Sequence, residues 1–175
     1  MLLTLFLIFS IAWSLLSIGV IVILLRSIIN GAIYLPTSNR NVETMMALVK
    51  PRQGERAADL GSGDGRILIA LAKAGAEAHG YEINPLLVWR SRVAIRRAGL
   101  NQKAFVHWRS FWKEDFSSFD LVAVYGITYI MKKLGEKLER ELPSGARVIS
   151  NIFHFPGWSP ERVENEHRVL LYIRK

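Results

Sequence analysis

The chain opens with an apolar run that contains no charged side chain before Arg26. As a helix rising about 1.5 Å per residue, residues 2–25 would extend roughly 36 Å, which exceeds the roughly 30 Å hydrocarbon core of a bilayer. A buried core helix is one alternative, but no polar face interrupts the run. A cleaved signal peptide is another, but the basic start, the short apolar core and the small-x-small cleavage site are missing. The pattern therefore predicts a transmembrane anchor over residues 1–26.

The basic residues that flank this run predict its orientation. None precedes it, whereas Arg26, Arg40, Lys50, Arg52 and Arg56 follow it. Since positive flanks stay on the cytoplasmic side, the rest of the chain is expected to face the cytoplasm.

Residues 27–53 form a connector that passes into a helical pattern. Ser38 or Asn41 is a suitable N-cap, and Pro51 stops the pattern. The apolar stripe at helical spacing consists of Val42, Met45, Met46 and Val49. We expect one short helix here, leading into a domain over residues 54–175.

After residue 54, short apolar runs alternate with longer helical stretches. The predicted strands are 56–60, 77–83, 103–111, 120–126, 146–153 and 167–175, and the predicted helices are 65–75, 84–99 and 128–145. The connection after the third strand is too short and polar for a full helix, so a loop or single turn is expected. Strands separated by helices indicate an α/β, Rossmann-like, doubly wound, mostly parallel sheet of about six strands.

Composition narrows the classes of partner. All 23 basic and 15 acidic residues follow residue 25, so the net charge of +8 belongs to the domain and its connector. Such a charge suits anionic lipid headgroups, and no nucleic-acid-reading motif accompanies it. The chain has no cysteine, and its four histidines are dispersed, so neither a thiolate nucleophile nor a metal site is expected.

A glycine-rich loop, "DLGSGDG" at residues 59–65, joins the first strand to the next helix. A dinucleotide fingerprint would need glycine where Arg66 stands, and a phosphate-binding P-loop would need Gly-Lys-Ser or Gly-Lys-Thr. Asp59 and Asp64 would repel a diphosphate and attract a cationic, amine-bearing ligand. Glu82 ends the second strand, where its carboxylate can accept hydrogen bonds from two ribose hydroxyls. A sulfonium that carries an amino acid and a ribose matches these preferences.

The ordered motifs "DLGSGDGRI", "GYEINPLLVWRSR", "KLERELPSGARVIS" and "FHFPGWSPE" resemble those of the seven-strand S-adenosylmethionine-dependent methyltransferases. With the N-terminal apolar segment and "YLPTSNRNVETMM", they are similar to the small membrane-anchored protein-lysine methyltransferases of the adenine nucleotide translocase and the ATP synthase c-subunit. The cofactor that this resemblance implies is S-adenosyl-L-methionine.

The resemblance also implies residue roles. Asp59, Gly61, Gly63 and Gly65 would shape the methionine pocket, Glu82 would hold the ribose, and Ile83 and Asn84 would lie beside the adenine. Ser62 and Asp64 of the same loop are also expected to bind the cofactor. The family usually places an acid at the end of the third strand for the adenine amino group, but this chain has Ser110. Ser110 or the Phe111 backbone would replace it.

Candidates for the acceptor channel are Tyr34, Thr37 and Tyr125, joined by Pro36, Phe153, Phe155 and Trp158. Aromatic rings can hold an ammonium group by cation–π contact, and packing at the sheet edge is the competing explanation. Many methyltransferases that act on amino groups of nucleic acids carry an NPPY- or DPPY-type tetrapeptide after the fourth strand. This chain has "VYGITYI" there, which disfavours a nucleic-acid base as the methyl acceptor.

We therefore expect a membrane-anchored methyltransferase that acts on lysine in a membrane-associated protein, without nucleic acid or metal. A lipid or small amphiphile as acceptor, and a non-catalytic cofactor-binding module, are the alternatives.

Overall fold

A computed structural model describes residues 2–30, 36–126, 128–166 and 168–175, with backbone alone at 23–30. The chain forms two compact units, residues 1–33 and 34–175. The predicted Tyr34 lies outside the described residues.

The first unit is a single long helix, α1 (Leu2–Asn30). Its segment Leu2–Val22 is long and apolar enough to cross a membrane, and its side chains are not buried within the protein. A signal sequence near an N-terminus can meet the same criteria of length and hydropathy, so α1 by itself establishes an apolar N-terminal helix.

The second unit contains one sheet with helices on both faces. Its helices are α2 (Asn39–Val49), α3 (Arg66–Lys73), α4 (Pro85–Arg97) and α5 (Thr128–Glu141). Its strands are β1 (Arg56–Leu60), β2 (Glu77–Glu82), β3 (Ala104–Trp108), β4 (Leu121–Val124), β5 (Arg147–Asn151), β6 (Arg162–Glu164) and β7 (Val169–Ile173). The α/β, Rossmann-like class is the one that the sequence predicted.

The sheet has the order β3-β2-β1-β4-β5-β7-β6. Strands β1 to β5 run parallel, while β7 pairs antiparallel with both β5 and β6. Apolar side chains of α2, α3 and α4 pack on one face, and those of α5 pack on the other. The chain order reverses between β1 and β4, and ligands of doubly wound folds bind at this point, outside the carboxyl ends of the strands.

The predicted count of about six strands was one too low. The missing strand is β6, three residues in the polar segment "PERVEN", which pairs with β7 at the sheet edge. Because β6 lies at an edge and is mostly exposed, it has no apolar run to reveal it.

Two local predictions are confirmed. A single 3₁₀ turn, Phe111–Lys113, stands in the connection between β3 and β4, where a loop or single turn was expected. Ser38 is the N-cap of α2, and its hydroxyl accepts a hydrogen bond from the Asn41 backbone at 3.1 Å. Asn41 in turn donates from its side-chain amide to Asn151 Oδ1 at 2.8 Å, which ties the start of α2 to the end of β5.

Candidate active site at the carboxyl edge of the sheet

The glycine loop leaves β1 by a path that only glycine adopts easily. Gly61, Gly63 and Gly65 all have positive φ, at 76°, 54° and 86°. The backbone N–H of Gly61 donates to the Tyr81 carbonyl at 2.9 Å, which holds the loop beside β2. Apart from its chain neighbours, no described residue has a heavy atom within 4 Å of the position that a Gly61 Cβ would occupy, so the loop backbone can be approached there.

Glu82 ends β2 and turns its carboxylate toward this loop. Its Oε2 accepts from the Gly63 backbone at 3.0 Å, and its Oε1 accepts from the backbones of Ile83 and Asn84 at 2.8 and 2.7 Å. A carboxylate has about four acceptor positions, so one remains in addition to these three bonds. Glu82 thus fixes the loop in place and keeps capacity for a ligand hydroxyl.

Asp59 lies beneath the loop and is 2% exposed. Burial, together with the charges of Glu82 and Asp64, raises the pKa of Asp59 to about 7, although a hydrogen bond from the Leu68 backbone opposes the shift. Its Oδ2 atom is buried and has no hydrogen-bond partner among the described residues. A carboxylate in this position favours a positive charge nearby, because such a charge would offset the cost of its ionisation.

Asp64 and Arg66 connect the loop to the segment that precedes the domain. Arg66 contacts the Asp64 carboxylate through two nitrogens, Nε to Oδ1 at 3.0 Å and Nη2 to Oδ2 at 2.7 Å. Its Nη1 donates to the Thr37 carbonyl at 2.5 Å. The negative charge of Asp64 is therefore largely compensated by Arg66, and Thr37, which is 5% exposed, is held against the loop.

Ser62 points into the fold. Its hydroxyl is buried and has no hydrogen-bond partner in the part of the chain that the structure describes. It lies against Gly80 of β2, where a Cβ atom would meet Ser62 Oγ at 2.7 Å. Gly65 is packed as tightly, since a Cβ there would meet Ser91 Oγ at 2.3 Å. The loop can therefore pack closely against β2 and α4, because the residues in contact have small side chains or none.

The residues predicted to lie near an adenine are placed at the ends of β2 and β3. Ile83 is half-buried, and Asn84 caps α4 by accepting from the Leu86 backbone at 3.0 Å. Ser110 caps the 3₁₀ turn and accepts from the Trp112 backbone at 3.4 Å. The ring of Phe111 packs on the ring of Trp112, with centroids 4.9 Å apart. The side chains of Asn84 and Ser110 are therefore engaged as helix caps.

The acceptor-channel candidates divide into two groups. Tyr125 and Phe153 follow β4 and β5 at the same edge as the glycine loop, and their ring centroids are 6.1 Å apart. Phe155, by contrast, is 1% exposed and packs with Trp158 against Tyr172 in the core. Phe155 is therefore a core residue, as the competing explanation of packing has it, and Trp158 is half-buried against it.

Sequence reasoning missed two contributors to this edge. It used Arg66 to exclude a dinucleotide fold and did not foresee the bridge from Asp64 to Thr37. It also gave no role to Trp108, whose indole N–H donates to the Ile83 carbonyl at 3.0 Å. Arg66 ends the motif that contains the glycine loop, but the spacing of that motif does not reveal the contact with Thr37, and Trp108 lies in none of the quoted motifs. Only the fold could show these contacts.

Two of the dispersed histidines meet away from this edge. His79 Nδ1 lies 3.1 Å from His107 Nε2, and Glu77 Oε1 lies 2.9 Å from His79 Nε2. Burial and the neighbouring His79 lower the pKa of His107. Among the described residues, no group of three or more possible ligands could hold a metal ion.

Comparison with known proteins identifies the family. The model of the ANTKMT methyltransferase domain matches residues 59–162, which include the glycine loop, Glu82 and most of the sheet. The chain belongs to the ANTKMT methyltransferase domain family. The resemblance drawn from its motifs is confirmed.

Two similar proteins support this assignment to the family. The ATP synthase c-subunit lysine N-methyltransferase of Rattus norvegicus is 43% identical over 133 residues, which cover 76% of this chain and 61% of the rat protein. Protein-lysine N-methyltransferase of Saccharolobus islandicus is 34% identical over 148 residues, covering 80% of this chain and 92% of the Saccharolobus protein. The chain thus spans less than two thirds of the rat enzyme and nearly all of the Saccharolobus one.

A solved structure confirms the methyltransferase fold. The RNA methyltransferase from Salinibacter ruber, in complex with S-adenosyl-L-homocysteine, superposes with a TM-score of 0.77 at 31% identity. The match covers 80% of this chain and 94% of that one.

Proposed function

We propose that this protein is a membrane-anchored, S-adenosylmethionine-dependent protein-lysine N-methyltransferase. The observation that carries the proposal is the family match across a site whose Glu82 and glycine loop are assembled at the switch point of the sheet. The names of the rat and Saccharolobus relatives both specify lysine as the acceptor, and these relatives are 43% and 34% identical.

The described residues fit the cofactor. Gly61 leaves open space above the loop backbone, Glu82 keeps acceptor capacity for a ribose hydroxyl, and Asp59 supplies a buried carboxyl that a nearby cation would ionise. Ile83 and Phe111 offer apolar surface beside the ends of β2 and β3. Bound S-adenosylmethionine would supply an electrophilic methyl group on a positively charged sulfur.

To methylate a lysine, the residues of this protein must hold the neutral amine in line with that methyl group. Neutralising a free lysine of pKa about 10.4 at pH 7 costs roughly 4.6 kcal/mol, so the site must disfavour the ammonium form. Burial of the amine beside Tyr125 and Phe153 would remove water from it, and the positive sulfur of the bound cofactor would oppose a second positive charge, so both effects would favour the neutral amine. Positioning then accounts for much of the rate, because the transfer needs in-line geometry.

The apolar helix α1 supports the location that we assign to the enzyme. Its exposed apolar surface and the basic residues that follow it indicate an uncleaved anchor, with the catalytic domain on the cytoplasmic side. We divide the chain into an anchor over residues 1–26, a connector with α2 over 27–53, and the methyltransferase domain over 54–175.

The test of function is methyl transfer to membranes by the full-length protein. Incubated with S-adenosylmethionine carrying a labelled methyl group and with host membranes, the protein should label a polypeptide, and mass spectrometry should locate the methyl group on lysine. Label that extracts into organic solvent would indicate a lipid acceptor, and nuclease-sensitive label would indicate RNA, the substrate class after which the Salinibacter ruber enzyme is named. Cofactor binding with no transfer to any fraction would indicate a non-catalytic module.

Replacing Glu82 tests the cofactor site itself. Glu82→Ala should weaken S-adenosylmethionine binding by about 1.5 to 3 kcal/mol, measured by calorimetry, because the charged hydrogen bond that the remaining acceptor position of Glu82 would make to a ribose hydroxyl is lost. Glu77→Ala, at the other end of β2 and more exposed, should leave binding unchanged. Unchanged affinity in a folded Glu82 variant would remove this residue from the site.

A further inference from the structure

Helix α4 presents an apolar stripe to solvent. It buries Leu87, Val88, Ser91 and Ile95 against the domain. On its outer side Leu86, Trp89 and the half-buried Val93 follow one another at intervals of three and four residues, so they lie along one line. Leu86 is 61% exposed and Trp89 is 65% exposed, which leaves a large apolar surface in water.

Arginines border this stripe on both sides. At about 100° per residue, Arg90 and Arg97 fall on one side of Trp89 and Val93, and Arg92 and Arg96 fall on the other. The sequence of α4 contains no acidic residue. Arg92 and Arg96 also line a groove of about 310 Å³ between α4 and β3.

Trp108 extends the apolar stripe beyond the first turn of the helix. It is 62% exposed, it is paired with Glu82 across β3 and β2, and its indole N–H donates to the Ile83 carbonyl. Since Ile83 lies three residues before Leu86, this indole stands next to the start of α4. We call Leu86, Trp89, Val93, Trp108 and the four arginines the α4 surface.

We propose that the α4 surface docks the domain onto a layer of anionic lipid headgroups. Exposed tryptophan and leucine beside several arginines, with no acid among them, is the pattern of helices that lie in a membrane interface. Each arginine adds attraction to anionic lipid, and its aliphatic stem can lie along the apolar stripe. A second copy of the chain is a poor occupant, because two such surfaces would bring eight like charges together.

This inference rests on the proposed anchor, which would keep the domain at a bilayer. It adds an orientation of the domain. Because α4 begins at the carboxyl edge of the sheet, docking would bring Glu82 and the glycine loop close to the headgroups. The acceptor lysine would then be one that lies at the membrane surface.

The chain has no cysteine, so a single introduced cysteine can report where each face lies. Leu86→Cys in the full-length protein would carry an environment-sensitive fluorophore, and Tyr129→Cys on α5, 75% exposed in the native protein, is the control position. Both would be reconstituted in phosphatidylcholine vesicles, with or without phosphatidylglycerol, that contain a nitroxide-labelled lipid as quencher. Co-flotation with vesicles tests the anchor separately from docking.

The label at position 86 should be quenched strongly on anionic vesicles and weakly on neutral ones, and high salt should reverse the quenching. The label at position 129 should be quenched weakly on both. Adding Arg90→Gln and Arg97→Gln should return position 86 to its level on neutral vesicles, whereas the matched pair Lys132→Gln and Arg162→Gln should not.

Three outcomes would overturn the proposal even if the protein floats with the vesicles. The first is equal quenching at positions 86 and 129 on anionic vesicles. The second is quenching at position 86 that does not depend on anionic lipid. The third is protection of position 86 in lipid-free detergent that rises with protein concentration, which would assign the α4 surface to a second copy.

Discussion

At the scale of single residues, this site depends on carboxylates in three different environments. Glu82 is bonded to three backbone N–H groups, Asp64 is paired with Arg66, and Asp59 is buried with one oxygen that no described residue bonds. The first two are compensated within the protein. Asp59 is the carboxyl whose charged form the fold disfavours, so its pKa is the one that a cationic ligand would lower most.

Asp59 should make the unliganded protein less stable as the pH rises. Its pKa is 3.8 in the ordinary case and about 7 in the fold, so the folded state holds a proton that the unfolded state releases between these values. Stability from this group is complete below pH 3.8, falls through this window, and is lower by up to about 4 kcal/mol above pH 7. Asp59→Asn cannot ionise, so its advantage in free energy of unfolding over the native protein should grow from pH 4 to pH 7.

Urea unfolding of the full-length protein in detergent, repeated across this pH range, measures the difference. Asp115→Asn is the control with the opposite sign, because hydrogen bonds from Ser117 lower the pKa of Asp115. Its variant should lose stability relative to the native protein above the usual pKa of an aspartate. A pH-independent difference for Asp59→Asn would contradict the burial argument.

At the scale of elements, the position of the loop depends on the close contact between β2 and the residues after β1. Gly80 faces the loop from the middle of β2, and its φ is unexceptional, so steric contact alone excludes a side chain there. A Cβ atom would lie 2.7 Å from Ser62 Oγ and 2.9 Å from Leu68 Cδ2. The loop and the start of α3 therefore both press on the same point of the strand.

Gly80→Ala should destabilise the domain by about 1 to 3 kcal/mol, the usual cost of overpacking. The same substitution in a Ser62→Gly background should cost less, because the contacts with Ser62 Oγ at 2.7 Å and Ser62 Cβ at 2.8 Å are removed. A double-mutant cycle from unfolding curves gives this coupling. Additive effects of the two changes would show that Gly80 and Ser62 do not compete for this space.

At the scale of the whole molecule, the chain combines an apolar helix with a basic α/β domain. If α1 is the proposed anchor, the protein should remain in the membrane pellet after an alkaline carbonate wash, and its intact mass should retain residues 1–25. Replacing Ile11 and Leu15 by arginine should release it, because each arginine at the centre of a span opposes insertion by about 2.5 to 3.5 kcal/mol. A mass that lacks these residues would instead indicate a cleaved signal sequence.

The sequence by itself determined the class of fold, the glycine loop and the position of Glu82. These features depend on local patterns: apolar runs of strand length, helical spacing, and turns that need glycine. It also predicted the short turn after β3, because the segment is too short and polar for a helix.

Only the tertiary structure decided which of these side chains face the site. It turned Ser62 and Phe155 inward, used Asn84 and Ser110 as caps, and joined Thr37 to the loop through Arg66. Each of these side-chain positions depends on tertiary contacts. Contacts between residues that are far apart in sequence produce no periodic pattern from which they could be predicted. The edge strand β6 was not predicted for a related reason. It has no apolar pattern of its own, and only its pairing with β7 makes it a strand.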